Sequence, residues 1–214
     1  MPNTLAGMRG VKAEGGWGVV NTEYCSIHPT SDDTPYPQAN IWDDADVAAH
    51  ALMVDKVHEH GALAGIELWH GGASVANLYS REAPMGAESG RAMYNDPVQS
   101  RIVNKSDIKE IRRWHVAAAK RAKTAGFDII YVYATHDFLI QNFLSSKRNF
   151  RSDEYGGSVE NRVRILRELI EEVKNAVGDT CAIAVRFCAD DGYVRANAIR
   201  DGSVPQVEEQ KEML

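Results

Sequence analysis

Phe127-Asp-Ile-Ile-Tyr-Val-Tyr133 is an apolar run that ends on a phenol, and His136 follows three residues later. Three other runs end in the same way. Trp17–Thr22 leads into Glu23 and Tyr24, Ala62–Ile66 into Glu67, Trp69 and His70, and Ala182–Val185 into Arg186. Short, nearly continuous apolar runs are what strands look like when a parallel sheet is covered by helices. In a parallel α/β barrel the C-terminal ends of the strands converge on one face, and the chemistry sits there. The four runs therefore predict that Tyr24, Glu67, Tyr133, His136 and Arg186 share one pocket although they lie far apart in the chain.

The stretches between the runs read as helices and loops. A strand over Gly18–Glu23 precedes a polar loop with Pro29, Pro35 and Pro37. Asp43 to His60 has the pattern of a helix, with Asp43 or Asp44 near its start and Gly61 at its end. Ala62–Leu68 is the second strand. The segment from Gly71 to Lys105 carries glycines and prolines and is too polar for core. Ser106 and Asp107 open a helix with Ile108, Ile111, Ala118 and Ala122 on one face, closed by Gly126. After the third strand, Phe127–Tyr133, a loop holds Arg151 to Gly157. Ser158 is placed to cap a helix with Leu166, Leu169, Ile170, Val173 and Val177 at helical spacing, and Gly178 stops it. Cys181–Phe187 is the fourth strand. The tail from Gly192 is polar and weakly patterned, and Gln206–Leu214 looks like the start of a helix.

Alternating strands and helices imply an α/β fold with a parallel sheet. Four strands do not close a (β/α)₈ barrel, which needs eight. A free-standing dinucleotide fold would place G-x-G-x-x-G after a strand, and Gly71-Gly72 and Gly156-Gly157 are doublets instead. The expected architecture is a partial (β/α)₈ TIM barrel, about strands two to five, over residues 1–190, with a divergent or truncated tail over 191–214.

Composition narrows the class. The chain has 214 residues, 44% hydrophobic and 25% charged, with net charge −6. That charge speaks against nucleic acid, whose phosphates select basic surfaces. No apolar run reaches the ~20 residues of a membrane span, and residues 1–10 lack the apolar core of a signal peptide. The cysteines, Cys25, Cys181 and Cys188, are few, odd in number and without C-x-x-C spacing. This fits a reducing, cytoplasmic setting and no disulfide framework.

Arg151-Ser-Asp-Glu-Tyr-Gly-Gly-Ser-Val-Glu-Asn-Arg162 resembles the hallmark R-x-D-x-Y-G-G-S-x-E-N-R of the old yellow enzyme family of FMN-dependent oxidoreductases. Lys12–Trp17, Asn21–Ser26, Ser31–Thr34, Gly61–Trp69 and Asp128–Tyr133 are similar to its trimethylamine, dimethylamine and histamine dehydrogenase branch. The resemblance covers roughly residues 10 to 190. It implies a (β/α)₈ FMN domain with a 4Fe-4S cluster and a nucleotide-binding region further along a full-length chain. It also implies that the flavin attachment Cys precedes this chain, and that the phosphate-gripping loops and the cluster ligands follow it.

By the same resemblance, Tyr133 and His136 match a Tyr-x-x-His pair beside the flavin. There it works with a later Asp, which would lie beyond residue 214. Amine oxidation needs a neutral nitrogen, and a tuned Tyr–His pair sets that protonation state. Arg186 matches the arginine at the flavin N1/C2=O edge, where a cation stabilises the reduced ring. Glu67 matches the group on the pyrimidine edge and is expected to accept from N3–H. Tyr24 matches an aromatic residue of the substrate bowl, which holds a methylated amine by cation–π attraction or shape. His70 departs from the trimethylamine pattern, which has Tyr there, and Trp69-His70 is closer to the wider ene-reductase branch.

His58 and His60 point to different faces of a helix and read as solvated. Cys25 and Cys188 read as small buried residues, and no metal site is expected. Arg112, Arg113, Lys120, Arg121 and Lys123 read as a solvated helix face. Three functions remain in play: oxidative demethylation of a methylated amine with FMN; an ene-reductase of the 2,4-dienoyl-CoA reductase type; and a non-catalytic barrel remnant, whose two open sheet edges would invite association. The first implies a small amine substrate, allows an electron-acceptor protein and a homo-oligomer, and leaves the activity of the chain on its own in doubt.

Overall fold

The apolar runs become strands and the stretches between them helices in a computed structural model that describes residues 2–33, 38–90 and 98–188. In chain order the elements are α1 (Pro2–Glu14), β1 (Val19–Ser26), β2 (Ala39–Asn40), α2 (Ala45–His58), β3 (Leu63–Trp69), β4 (Met85–Gly86), β5 (Arg101–Ile102), α3 (Lys105–Ala125), β6 (Ile129–Ala134), α4 (Leu139–Leu144), α5 (Val159–Val177) and β7 (Ala182–Phe187). The main sheet runs β2-β1-β3-β6-β7, all parallel, and β4 pairs with β5 in a small separate sheet. Four long strands with intervening helices form an arc of a (β/α)₈ barrel, as expected.

Alternation along each strand separates two faces. Ala64, Ile66 and Leu68 of β3 and Ile130, Val132 and Ala134 of β6 are fully buried against the helices. Each large aliphatic side chain among them contributes about 1.5–3 kcal/mol by leaving water. The other face carries Gly65, Glu67, Trp69, Tyr131, Tyr133 and Arg186. Gly65 has no room for a side chain: a Cβ would stand 2.1 Å from Asn21 Oδ1 and 2.9 Å from the Tyr131 ring.

Helix ends follow local chemistry. Asn104 caps α3, accepting from Ser106 N and Asp107 N, while Asp107 reaches back to Asn104 N at 2.8 Å. The helix thus opens before Ser106 and Asp107, the expected starters, because an Asn-x-x-Asp capping box outcompetes them. Gly126 closes it at φ 96°. Ser158 caps α5 as expected, accepting from Asn161 N.

Several expectations change. β1 continues through Ser26 rather than ending at Glu23. The segment from Gly71 to Lys105 is not excluded from the core, since Val75, Met85, Ala87 and Val103 are buried. The basic face of α3 is not simply solvated: Arg112 pairs with Glu168 and Glu172 of α5, Arg121 with Asp44, and Lys123 donates to Val177 O. The tail over 191–214 lies outside the described residues.

Candidate functional site

Strand register brings the five expected residues to one face. Tyr24 stands opposite Glu67, Glu67 opposite Tyr131, and Tyr133 opposite Arg186. Each lies at or near the C-terminal end of its strand, and His136 follows in the loop after β6. Arg186 Nη1 donates to both carboxylate oxygens of Glu67, at 2.8 and 3.1 Å. Its guanidinium also lies 5.1 Å from the centre of the Tyr133 ring. Tyr133 Oη and His136 Nδ1 share a hydrogen bond of 2.8 Å. Tyr24 Oη donates to Asp33 Oδ2 at 3.1 Å.

The electrostatics of the pairs differ. Burial raises the Glu67 carboxyl above the usual range, and the Arg186 guanidinium opposes it. His136 sits exposed at the lip, and partial desolvation followed by the Arg186 charge lowers its pKa. Both effects favour the neutral imidazole. Both His136 and the next residue, Asp137, have left-handed backbones, with φ 57° and 59°.

Two aromatic residues join the site that the strand-end reading did not assign to it. Tyr24 packs on Trp69 at 4.6 Å between ring centres, and Trp69 meets Phe138 edge-on at 5.0 Å. The indole N–H of Trp69 is buried without a partner among the described residues. The signal for Trp69 was present, because it follows Glu67 by two and so shares its face. Phe138 sits in a loop where no periodicity announces a direction.

Two strand-end groups point elsewhere. Glu23 is exposed and takes an ion pair from Arg9 of α1 at 3.2 Å. His70 lies on the helix side, parallel to the Trp114 ring, with Nδ1 accepting from Gly72 N and Nε2 bonded to Thr30 Oγ1 at 3.0 Å. Cys25 is buried, its thiol pushed up to about 12 chiefly by desolvation. Cys188 is half-buried. His58 bonds Asp128 Oδ2 at 2.8 Å, and among the described residues no group of three or more His, Cys, Asp or Glu could hold a metal.

The 151–162 motif braces the site from outside. Arg151 binds Asp153 and Val103 O, Tyr155 Oη donates to Glu168, and Asn161 Nδ2 donates to Gly156 O. Arg162 Nε donates to Leu144 O at 2.9 Å and also binds Gly157 O. At Gly156 a Cβ would fall 2.2 Å from Arg151 O. The motif ties the turn before α5 to the end of α4.

Chemically, a cation, a buried carboxylate, a phenol–imidazole pair and an aromatic wall on one face suit the edge of a planar heteroaromatic ring with a small apolar partner beside it. Residues 3–213 match the profile described as NADH:flavin oxidoreductase / NADH oxidase family. Dimethylamine dehydrogenase of Hyphomicrobium sp. (strain x) is 42% identical over 195 residues, covering 86% of this chain and 26% of that protein. NADPH dehydrogenase of Bacillus subtilis (strain 168) is 37% identical over 163 residues, 76% of this chain and 47% of that protein. The structure of histamine dehydrogenase from Rhizobium sp. 4-9 superposes with a TM-score of 0.86 at 45% identity, over 96% of this chain and 32% of that one. The chain thus spans between about a quarter and a half of these relatives. A parallel barrel arc, matched by that profile over nearly its whole length, the chain belongs to the FMN-dependent NADH:flavin oxidoreductase / NADH oxidase family.

Proposed function

We propose that these residues form the flavin-ring and substrate side of an amine-oxidising site, in a protein that removes a methyl group from a small methylated amine. The observation that carries this reading is the Tyr133–His136 hydrogen bond on the same face as the Arg186–Glu67 pair and the aromatic wall.

The residues fit the ring of FMN. The Arg186 side chain remains 45% exposed after pairing with Glu67, and Trp69 carries a buried indole N–H without a partner among the described residues. Arg186 would face the ring edge that becomes negative, and Glu67 would accept from a ring N–H. Bound FMN supplies the two-electron acceptor. Around it, Tyr24, Trp69 and Phe138 offer aromatic faces to the methyl groups of the amine. Burial and the Arg186 charge favour the neutral imidazole of His136, which would offer the amine a hydrogen-bonding partner, with Tyr133 holding the ring in place.

Dimethylamine dehydrogenase and histamine dehydrogenase among the relatives support an amine, and Tyr24 supports a tertiary one. A 4Fe-4S cluster, an acceptor protein and a cytoplasmic site belong to the proposal for the longer protein. No helix among the described residues is long and apolar enough to cross a membrane. The ene-reductase reading loses the support of Trp69-His70, since His70 faces α3 rather than the site, and keeps that of the NADPH dehydrogenases among the relatives. The test is dye reduction by the FMN-loaded longer protein with trimethylamine, dimethylamine and a cyclic enone in parallel. Amine-dependent turnover is expected. Enone reduction with no response to either amine would overturn the reading.

A further inference from the structure

Asp137 is held at every polar group. Its N–H donates to Gln141 Oε1 at 2.7 Å. Its carbonyl accepts from Ser74 Oγ at 2.5 Å and from Asn142 Nδ2 at 2.9 Å. Its carboxylate accepts from Asn142 Nδ2 at 2.9 Å and from Arg148 Nη2 at 2.7 Å. Arg148 also donates to Glu88, in the segment after β4, at 3.2 Å. Three separate pieces of chain therefore meet on one residue: the loop after β3, helix α4, and, through Arg148, the excursion that carries the small sheet.

This residue follows His136, and both have φ near +60°. Two consecutive left-handed residues with side chains persist only where their surroundings over-determine them. Glycine would take the conformation freely but would offer no side chain to hold. Asp tolerates it and supplies two acceptors.

We propose that Asp137 is a positioning residue. Its clamp by Ser74, Gln141, Asn142 and Arg148 fixes the left-handed turn that aims the His136 imidazole at Tyr133. The value of that aim rests on the amine-oxidising reading above, but the clamp itself does not.

The test uses the ¹⁵N-labelled 214-residue chain, with the His136 ring signals assigned by their loss in His136→Gln. In the parent chain Nδ1 should report one fixed hydrogen-bonded tautomer. Asp137→Asn, which keeps an acceptor for Asn142 and tolerates the turn, should retain it. Asp137→Gly and Arg148→Met should move His136 toward the averaged signals of exposed His60. In the FMN-loaded longer protein the same two variants should slow amine-dependent flavin reduction about 100-fold, as a misplacement of about 1 Å does. Unchanged His136 signals in Asp137→Gly would overturn the proposal, since the turn would then hold the ring unaided. If that variant does not fold, Arg148→Met is read in its place, and unchanged signals there overturn it equally. Altered ring signals together with no amine turnover in any form would refute the amine reading and uphold the clamp.

Discussion

Arg186 on β7 reaches over β6 to hold Glu67 on β3, giving both carboxylate oxygens a hydrogen bond from one nitrogen. Burial pushes the Glu67 carboxyl up, and the guanidinium draws it down. Removing the cation in Arg186→Met leaves burial unopposed, so the charged carboxylate is destabilised in the folded state alone. The loss should be about 1 kcal/mol at neutral pH, because the guanidinium is half exposed. It should shrink as pH falls below the ordinary carboxylate range, where Glu67 is protonated both folded and unfolded. Urea midpoints at the two pH values decide this, and an equal loss at both would rule out the electrostatic account.

His115 of α3 should set an acid limit. Its Nδ1 donates to Ile111 O at 2.8 Å, its Nε2 is buried without a partner among the described residues, and burial lowers its pKa from 6.5 to about 4. The unfolded chain thus takes up the proton first. Stability from this group is complete above pH 6.5 and drains as pH falls toward about 4. The loss is roughly 3 kcal/mol at the low end. His70, lowered well below its ordinary value by burial, adds in the same direction. His115→Leu should flatten the fall in a denaturation series across this window, and an unaltered slope would contradict it.

Removing the α3 cap tests a feature independent of the site. Asn104→Ala frees two N–H groups and should cost about 1 kcal/mol, seen as a lower urea midpoint with no change in the His136 signals. A cost near zero would mean that packing of α3 against α5 sets its start.

The contrast between α3 and the short elements shows what the residues themselves disclose. β1, β3, β6 and β7 were legible because each carries an apolar run, and α3 and α5 because their stripes repeat at helical spacing. α1 was not read as a helix, since Gly7 and Gly10 interrupt it. At Gly10 a Cβ would approach Lys56 of α2 tightly, at 3.3 Å. β2, β4 and β5 have two residues each, too few for any period, and α4 is buried all round. Tyr24, Glu67, Tyr133, His136 and Arg186 were legible because each follows an apolar run. Asp137 and Arg148 were not, because their importance lies in hydrogen bonds between loops that no local pattern encodes.

Expressed by itself, the 214-residue chain should bind FMN weakly. The groups proposed to meet the ring, Glu67 and Arg186, offer a few hydrogen bonds worth about 1 kcal/mol each. These must offset an association cost of at least ~4 kcal/mol. Flavin fluorescence titration should give no submicromolar binding, and trimethylamine should reduce no dye. Tight binding with turnover would show that the chain suffices as an enzyme.

The contact between Arg186 and Glu67 spans 119 residues, and β7 is the terminal strand of the described sheet. Closing so long a loop comes late in folding, after the local helices and neighbouring strands have formed. A terminal strand is also where partial opening is least costly. Fraying of β7 would carry off the cation while β1, β3 and β6 stay paired. The Arg186–Glu67 pair would then be lost well before the fold, and in the 214-residue chain hydrogen exchange along β7 would run ahead of exchange along β3 and β6.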